Sequence, residues 1–293
     1  MSLIHIVILG IVQGLAELLP VSSSAHVVVV EKLLGLDPAS PPMTLLLVML
    51  HTGTMFAVIV YFWRDWSRTY FRSVAAGKRF VADAVLATIL TGVVGGGVYL
   101  AVEHTLLADV PHGQIEDLFG HLEFIAPALA AVGILILAGG LLERRRHGAQ
   151  RTGSATDSPG LTTTQAAVIG GVQGLSLPFR GFSRSGATIS TALLLGVAKA
   201  RAEIFSFALA VILTPPVVAR EALRLWHSAA GSHQQLSGIA VRTLFGAGVA
   251  FVAGLVALRW LSRWLERGQW YLFGLYCLLA AAVVAVLHFH YGF

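Results

Sequence analysis

The sequence predicts an all-α polytopic membrane protein: about six full transmembrane helices plus two broken or re-entrant helix pairs, arranged as an inverted-topology repeat. Three observations predict it. Of 293 residues, 56% are hydrophobic and 12% charged, with mean hydropathy +0.77, more apolar surface than one soluble core of this length can hide. Apolar runs of membrane-spanning length recur along the chain. Two short segments between them carry charge and hydroxyls, 13–26 and 173–186, and an ionisable group at bilayer depth costs roughly 2.5 to 3.5 kcal/mol, which makes it a functional-site candidate by default.

Taken in order, residues 3–19 form an apolar run that meets Pro20 and the cluster Ser22-Ser23-Ser24, and an apolar stretch resumes at 27–36. Proline lacks an amide hydrogen and clashes with the preceding turn, so a broken pair is expected. Spans of about 20 apolar residues follow, at 44–63, 81–103 and 123–142. The stretch 147–160, rich in Gly, Ser and Thr, reads as a cytoplasmic linker. A second broken pair follows, from 164–177 through Pro178 to 187–198, and then spans at 203–226, 240–258 and 270–291. Irregular backbone at membrane depth is tolerated only under protein or beside water, so the two tips are expected to face each other.

The halves repeat. A shift of 160 positions superposes Gly10, Val12, Gln13, Gly14 and Leu15 on Gly170, Val172, Gln173, Gly174 and Leu175, and with one inserted residue Ser22 and Ser24 fall on Ser183 and Ser185. Three spans follow each pair, an odd number, so the second copy starts from the opposite side. One membrane domain is therefore expected, with repeat one at 1–146 and repeat two at 161–293. With the N-terminus extracytoplasmic, fourteen Lys and Arg fall on the cytoplasmic side and four outside, in keeping with the positive-inside rule.

Other classes recede. A net charge of +5 and a pI near 9.7 do not signal nucleic acid, because the basic residues lie between apolar segments instead of forming one stripe. Cys277 has no partner for an intrachain disulfide. Residues 1–19 lack a basic n-region, so no signal cleavage is expected.

The chemistry gathers at the two tips. Gln13 and Glu17 share a helix face that leads into Ser22, Ser23 and Ser24, with His26 just beyond. A carboxylate, an imidazole and hydroxyls at one point suit nucleophilic or general acid/base catalysis; the plainer alternative is that the serines cap the next half-helix. In the second segment, Gly181 to Gly186 opens a helix, so backbone amides, Ser183, Ser185 and the guanidinium of Arg184 can converge on an anion. His51 either faces the same pocket or satisfies an interhelical hydrogen bond. The Gly95-Gly96-Gly97 run reads as close helix packing.

These motifs resemble those of the undecaprenyl-diphosphate phosphatases, the family of bacitracin-resistance proteins. The resemblance rests on Gln13 through Glu17, Pro20 through Ser23 with His26, and Gly181 through Thr188, and extends to Phe62-Trp63-Arg64 and Glu203 to Ala210. It implies hydrolysis of a C55 isoprenoid diphosphate to the lipid phosphate, recycling a carrier for cell-wall synthesis in the bacterial inner membrane, at a site on the extracytoplasmic side. By the same resemblance Glu17, Ser23, His26 and Arg184 are the expected catalytic residues. Gln13, Ser22, Ser24, Arg180, Ser183, Ser185 and Thr188 are the expected substrate contacts.

Two departures stand out. Gln13 sits where many relatives have a first glutamate, which weakens a two-carboxylate metal site. The approach Leu177-Pro178-Phe179-Arg180-Gly181 is one residue longer than usual, and Arg180 is either a second phosphate clamp or a snorkelling side chain.

The expected mechanism has Arg184, Ser183 and Ser185 holding the diphosphate. Ser23 or His26 attacks the terminal phosphorus or activates a water, and Glu17 orients His26 as in a triad. No cofactor is required by the sequence, although Mg2+ or Ca2+ bridging Glu17 and the phosphates is compatible with it. Expected partners are the lipid substrate and membrane lipids, not nucleic acid, with a homodimer as one admissible assembly. The competing class is a flippase for polyprenyl phosphate or a small-anion carrier, since inverted repeats with broken helices also build transporters. Every version requires the Glu17 tip and the Arg184 tip to meet.

Overall fold

The computed structural model describes residues 2–37, 40–106, 122–149, 161–228 and 233–291. Among these residues the chain is helical throughout, in ten helices: α1 (Leu3–Leu18), α2 (Ser23–Leu33), α3 (Pro41–Thr69), α4 (Val74–Leu106), α5 (Leu122–Ala149), α6 (Thr163–Leu175), α7 (Arg184–Leu194), α8 (Lys199–Ser228), α9 (His233–Glu266) and α10 (Tyr271–Tyr291). Six are long and apolar enough to cross a membrane: Met43–Thr69, Val74–Thr105, Glu123–Arg146, Lys199–Arg220, Val241–Trp264 and Tyr271–His290. They match the six expected spans. Most of the linker at 147–160 lies outside the described residues.

The remaining four helices are the two broken pairs. α1 and α6 have 16 and 13 residues, and α2 and α7 have 11 each, so at 1.5 Å per residue none reaches across a ~30 Å hydrocarbon layer. The order short, short, long, long, long thus occurs twice along the chain.

Small residues set how deeply the pairs sit. α1 packs on α9 and α6 packs on α4, each through the glycine of its Gln-Gly-Leu sequence. A Cβ on Gly14 would stand 2.7 Å from the Ala250 carbonyl oxygen, and one on Gly174 would stand 2.8 Å from that of Thr91. Only glycine lets the backbones approach so closely. In the glycine run of α4, Gly95 meets Gly174, whereas Gly96 and Gly97 have open space beside them.

Between the pairs lie α3 and α8, which pack on each other. An apolar layer including Phe62, Trp66, Phe205 and Phe207 fills that contact, and Trp66 donates its indole N–H to the Ile204 carbonyl at 3.1 Å. α5 and α10 close the molecule on the other flank. A buried ion pair, Lys199 Nζ to Glu143 Oε1 at 2.7 Å, ties the start of α8 to α5. The two turns therefore meet inside a helical wall.

Candidate active site

Each pair delivers its polar residues by breaking at proline. α1 ends at Leu18, Leu19 is extended, Pro20 sits in a tight turn closed by the Val21 N–H donating to the Leu19 carbonyl at 2.8 Å, and α2 starts at Ser23. Glu17 thus occupies the last turn of one helix and Ser23 the first turn of the next. In the second pair α6 ends at Leu175, Gly181 turns with φ +105°, and Ser183 caps α7 by accepting from the Gly186 N–H at 3.2 Å. Arg184 follows as the first helical residue. Gly181 is pressed against α5, where a Cβ would come 2.6 Å from the Ile125 carbonyl oxygen.

The expected meeting of the tips occurs. Arg184 Nη2 donates to Glu17 Oε1 at 2.6 Å across 167 positions of sequence. The Glu17 side chain is only 11% exposed, so the guanidinium offsets much of the cost of keeping a carboxylate out of water. The other carboxylate oxygen is crowded: Gln13 Nε2 donates to Glu17 Oε2 at 3.0 Å, the Ser23 hydroxyl donates to it, and His51 Nε2 stands 3.4 Å away. His51 Nδ1 donates to the Leu47 carbonyl at 2.7 Å. Of its two readings, His51 fulfils the one in which it faces the site.

A second link joins the tips directly. The Gly181 N–H donates to Ser24 Oγ at 3.4 Å, and Ser24 Oγ lies 3.3 Å from Ser22 Oγ. Around Glu17 and Arg184 opens a narrow cleft lined by His51, Thr54 and Met55 of α3, by Ser206, Phe207 and Ala210 of α8, and by Ser185 of α7. Anionic groups can be met there by one guanidinium and several hydroxyls. Apolar walls lead away from them.

Several expected residues take other positions. His26 does not contact Glu17: its Nδ1 donates to the Ser22 carbonyl at 2.8 Å and its Nε2 is 2.6 Å from the Tyr276 hydroxyl. The expected Glu17–His26 couple is absent because α2 carries His26 a full turn beyond the tip, toward α10. Thr188 is buried; its hydroxyl donates to the Arg184 carbonyl at 2.9 Å and is 2.5 Å from Ser206 Oγ, so it braces the helix that bears Arg184. Ser183 spends its oxygen on the cap. Arg180 faces the charge of the buried Glu31 on α2 and does not line the cleft.

The donor set suits Mg2+ or Ca2+ poorly. Hard cations take six or more oxygen ligands, whereas Glu17 is a single carboxylate whose two oxygens already serve Arg184, Ser23, Gln13 and His51. A guanidinium at hydrogen-bond distance also repels a second cation. Among the described residues no group of three or more His, Cys, Asp or Glu has metal-binding proximity.

Two residues had no role in the motif reading: Ser206 of the cleft, within the Glu203 to Ala210 stretch of α8, and Tyr276 of α10, which engages His26 away from the cleft.

Fold and site together define a class: a multi-pass helical membrane protein whose two broken helix pairs converge on a buried carboxylate–guanidinium couple ringed by hydroxyls. The chain belongs to the family of bacitracin resistance protein BacA, whose model matches residues 6–283. It is 50% identical over 291 residues to undecaprenyl-diphosphatase 2 of Acinetobacter baylyi, covering 98% of both chains. It is 37% identical to the undecaprenyl-diphosphatase of Gluconacetobacter diazotrophicus, covering 97% of this chain and 96% of that one. The enzyme of the same name from Desulfatibacillum aliphaticivorans is 33% identical, over 99% of this chain and all of that protein.

Proposed function

We propose that this chain is an integral-membrane phosphatase that hydrolyses undecaprenyl diphosphate to undecaprenyl phosphate and inorganic phosphate, returning the lipid carrier to cell-wall synthesis. The names of its full-length relatives support the substrate. The observation that carries the chemistry is the placement of Ser23, Glu17 and Arg184 in one hydrogen-bonded chain.

In this mechanism the diphosphate enters the cleft and its terminal phosphoryl oxygens take the Arg184 guanidinium from Glu17, a planar donor fork suited to phosphate. Charge developing on those oxygens in the transition state is stabilised by Arg184 and by the hydroxyl of Ser185. Ser23 Oγ attacks the terminal phosphorus while its proton passes to Glu17, the group it already touches. The bond to the bridging oxygen breaks and undecaprenyl phosphate leaves. Glu17 passes that proton to the departing lipid phosphate; water then attacks the phosphoserine, giving a proton to Glu17, which returns it to Ser23 Oγ as phosphate is released. Ser23 is preferred to His26 as attacker because both ring nitrogens of His26 are engaged away from the cleft.

The topology belongs to the same proposal. Repeat two, from 161, stands inverted relative to repeat one, ending at 146, with the N-terminus extracytoplasmic and fourteen of eighteen Lys and Arg outside the tips on the cytoplasmic side. The charge count supports a protein of the inner membrane whose cleft opens to the extracytoplasmic face.

The deciding measurement is phosphate release by purified protein in detergent from C55 diphosphate, shorter isoprenoid diphosphates and soluble diphosphates, with and without chelator. C55 diphosphate is expected to be turned over and soluble diphosphates to be poor substrates. No release from any of them, with lipid-phosphate transport persisting in liposomes, would replace the phosphatase by a carrier.

A further inference from the structure

The turn that delivers Ser23 is not self-supporting. Ser22 has φ 65° and ψ 89°, the one non-glycine residue with positive φ among the described residues, and it caps α2 without a side-chain hydrogen bond. Such a conformation is strained for a residue with a side chain and persists only where neighbours hold it. Two neighbours come from α10, about 250 positions away in sequence.

The first acts through His26. A carbonyl oxygen only accepts, so Nδ1 of His26 carries the proton it gives to the Ser22 carbonyl at 2.8 Å. In neutral imidazole Nε2 is then the acceptor, and it receives the Tyr276 hydroxyl at 2.6 Å. The two rings also stack, with centroids 5.6 Å apart and planes 11° from parallel. The second neighbour is the next residue, Cys277, fully buried, whose thiol donates to the Pro20 carbonyl at 3.4 Å. Consecutive residues of α10 therefore grip both sides of the turn, at Pro20 and, through His26, at Ser22. Directly after the gripped turn comes Ser23, hydrogen-bonded to Glu17.

We infer that His26 and Tyr276 are positioning residues: a clasp from α10 that holds Ser22 in its left-handed conformation and so aims Ser23 at Glu17, with no proton or phosphoryl passing through the imidazole. The kinetic test rests on the phosphatase reading above; the conformational test does not.

Two amides separate the clasp from catalysis by His26. In His26→Asn the side-chain amide sits where Nδ1 was and keeps a donor for the Ser22 carbonyl; in His26→Gln it sits near Nε2 and loses that bond. The clasp predicts that His26→Asn keeps kcat within about tenfold of wild type with an unchanged pH profile, while His26→Gln falls by about 10², the scale of a misplaced reacting group. Tyr276→Phe is expected to lower kcat about fivefold and to add nothing in the His26→Gln background, since the pair acts as a unit. Rapid quench is expected to trap phosphoserine in wild type and His26→Asn alike. A trapped phosphohistidine overturns the inference. So does an equal loss of about 10³ in both amide variants with one limb of the pH profile gone, as removal of a general base requires.

Hydrogen exchange of the 19–26 peptide reads the clasp without any substrate. Faster exchange in Tyr276→Phe and His26→Gln, with His26→Asn no faster than Tyr276→Phe, supports it, and identical exchange in all four proteins overturns it. Should wild type release no phosphate from C55 diphosphate, the phosphatase reading falls while this arm still decides the clasp.

Discussion

The two broken helix pairs begin from nearly the same sequence and end with opposite jobs. Gln13 and Gln173 hold corresponding places, both with no exposed surface. Gln13 donates to Glu17 in the site, whereas Gln173 donates at 3.0 Å to Thr91 of α4, a contact that only fastens α6 to its neighbour. The first pair supplies the carboxylate and Ser23; the second supplies the cation. Their turns differ as well. Ser183 caps its helix with its own side chain, while Ser22 adopts φ 65° and relies on His26 and α10. Two broken pairs of the same element order thus set a self-capped turn opposite a strained turn that leans on its neighbours.

The sharpest way to break this comparison is to remove either charge. Arg184→Ala and Glu17→Gln are each expected to lower kcat/KM by about 10³, the range for losing a transition-state donor or a general base. The double variant should be little worse than the poorer single, because the two act as one couple. Phosphate release at several C55 diphosphate concentrations checks this, and additive losses would mean two independent roles.

Next in size is Gly181→Ala. With φ +105° and the Ile125 carbonyl in the way, an alanine there should destabilise the protein by roughly 1 to 3 kcal/mol, read as a lowered thermal midpoint in detergent. Smaller effects contrast the turns. Ser183→Ala should cost about 1 kcal/mol through the lost cap, whereas Ser22→Gly, which tolerates positive φ, should be neutral or stabilising by less than about 1 kcal/mol. If both serines behave alike, the difference between the turns is not real.

The finest test compares the glutamines. Loss of one hydrogen bond is worth about 0.5 to 1.5 kcal/mol. Gln13→Ala is therefore expected to reduce turnover several-fold, and Gln173→Ala to leave turnover intact while lowering the thermal midpoint.

Much of the helical arrangement was legible because its signals are local. Span length and hydropathy located all six long helices, although the helices run as many as eight residues past the expected ends, and Pro20 and Pro178 marked the breaks. The site was legible only in part. Glu17, Ser23 and Arg184 announced themselves as polar groups in apolar surroundings, and the requirement that irregular backbone be covered led to the expectation that they meet. Thr188 belongs to the same motif yet braces Arg184 from behind, because helical periodicity turns it toward Ser206. Arg180 is adjacent to the turn but is drawn to Glu31, a partner that sequence distance conceals.

The sequence by itself determined which segments are apolar helices, where two of them break, and which ionisable groups those breaks carry, since each property is set within a few residues. The tertiary structure decided who touches whom. His51 of α3 reaches Glu17, and Tyr276 of α10 takes His26 away from it, choices made by the directions in which separate helices present their side chains. Those directions depend on how closely Gly53 lets α3 approach α9 and Gly274 lets α10 approach α5, and packing across hundreds of residues has no local trace in the chain.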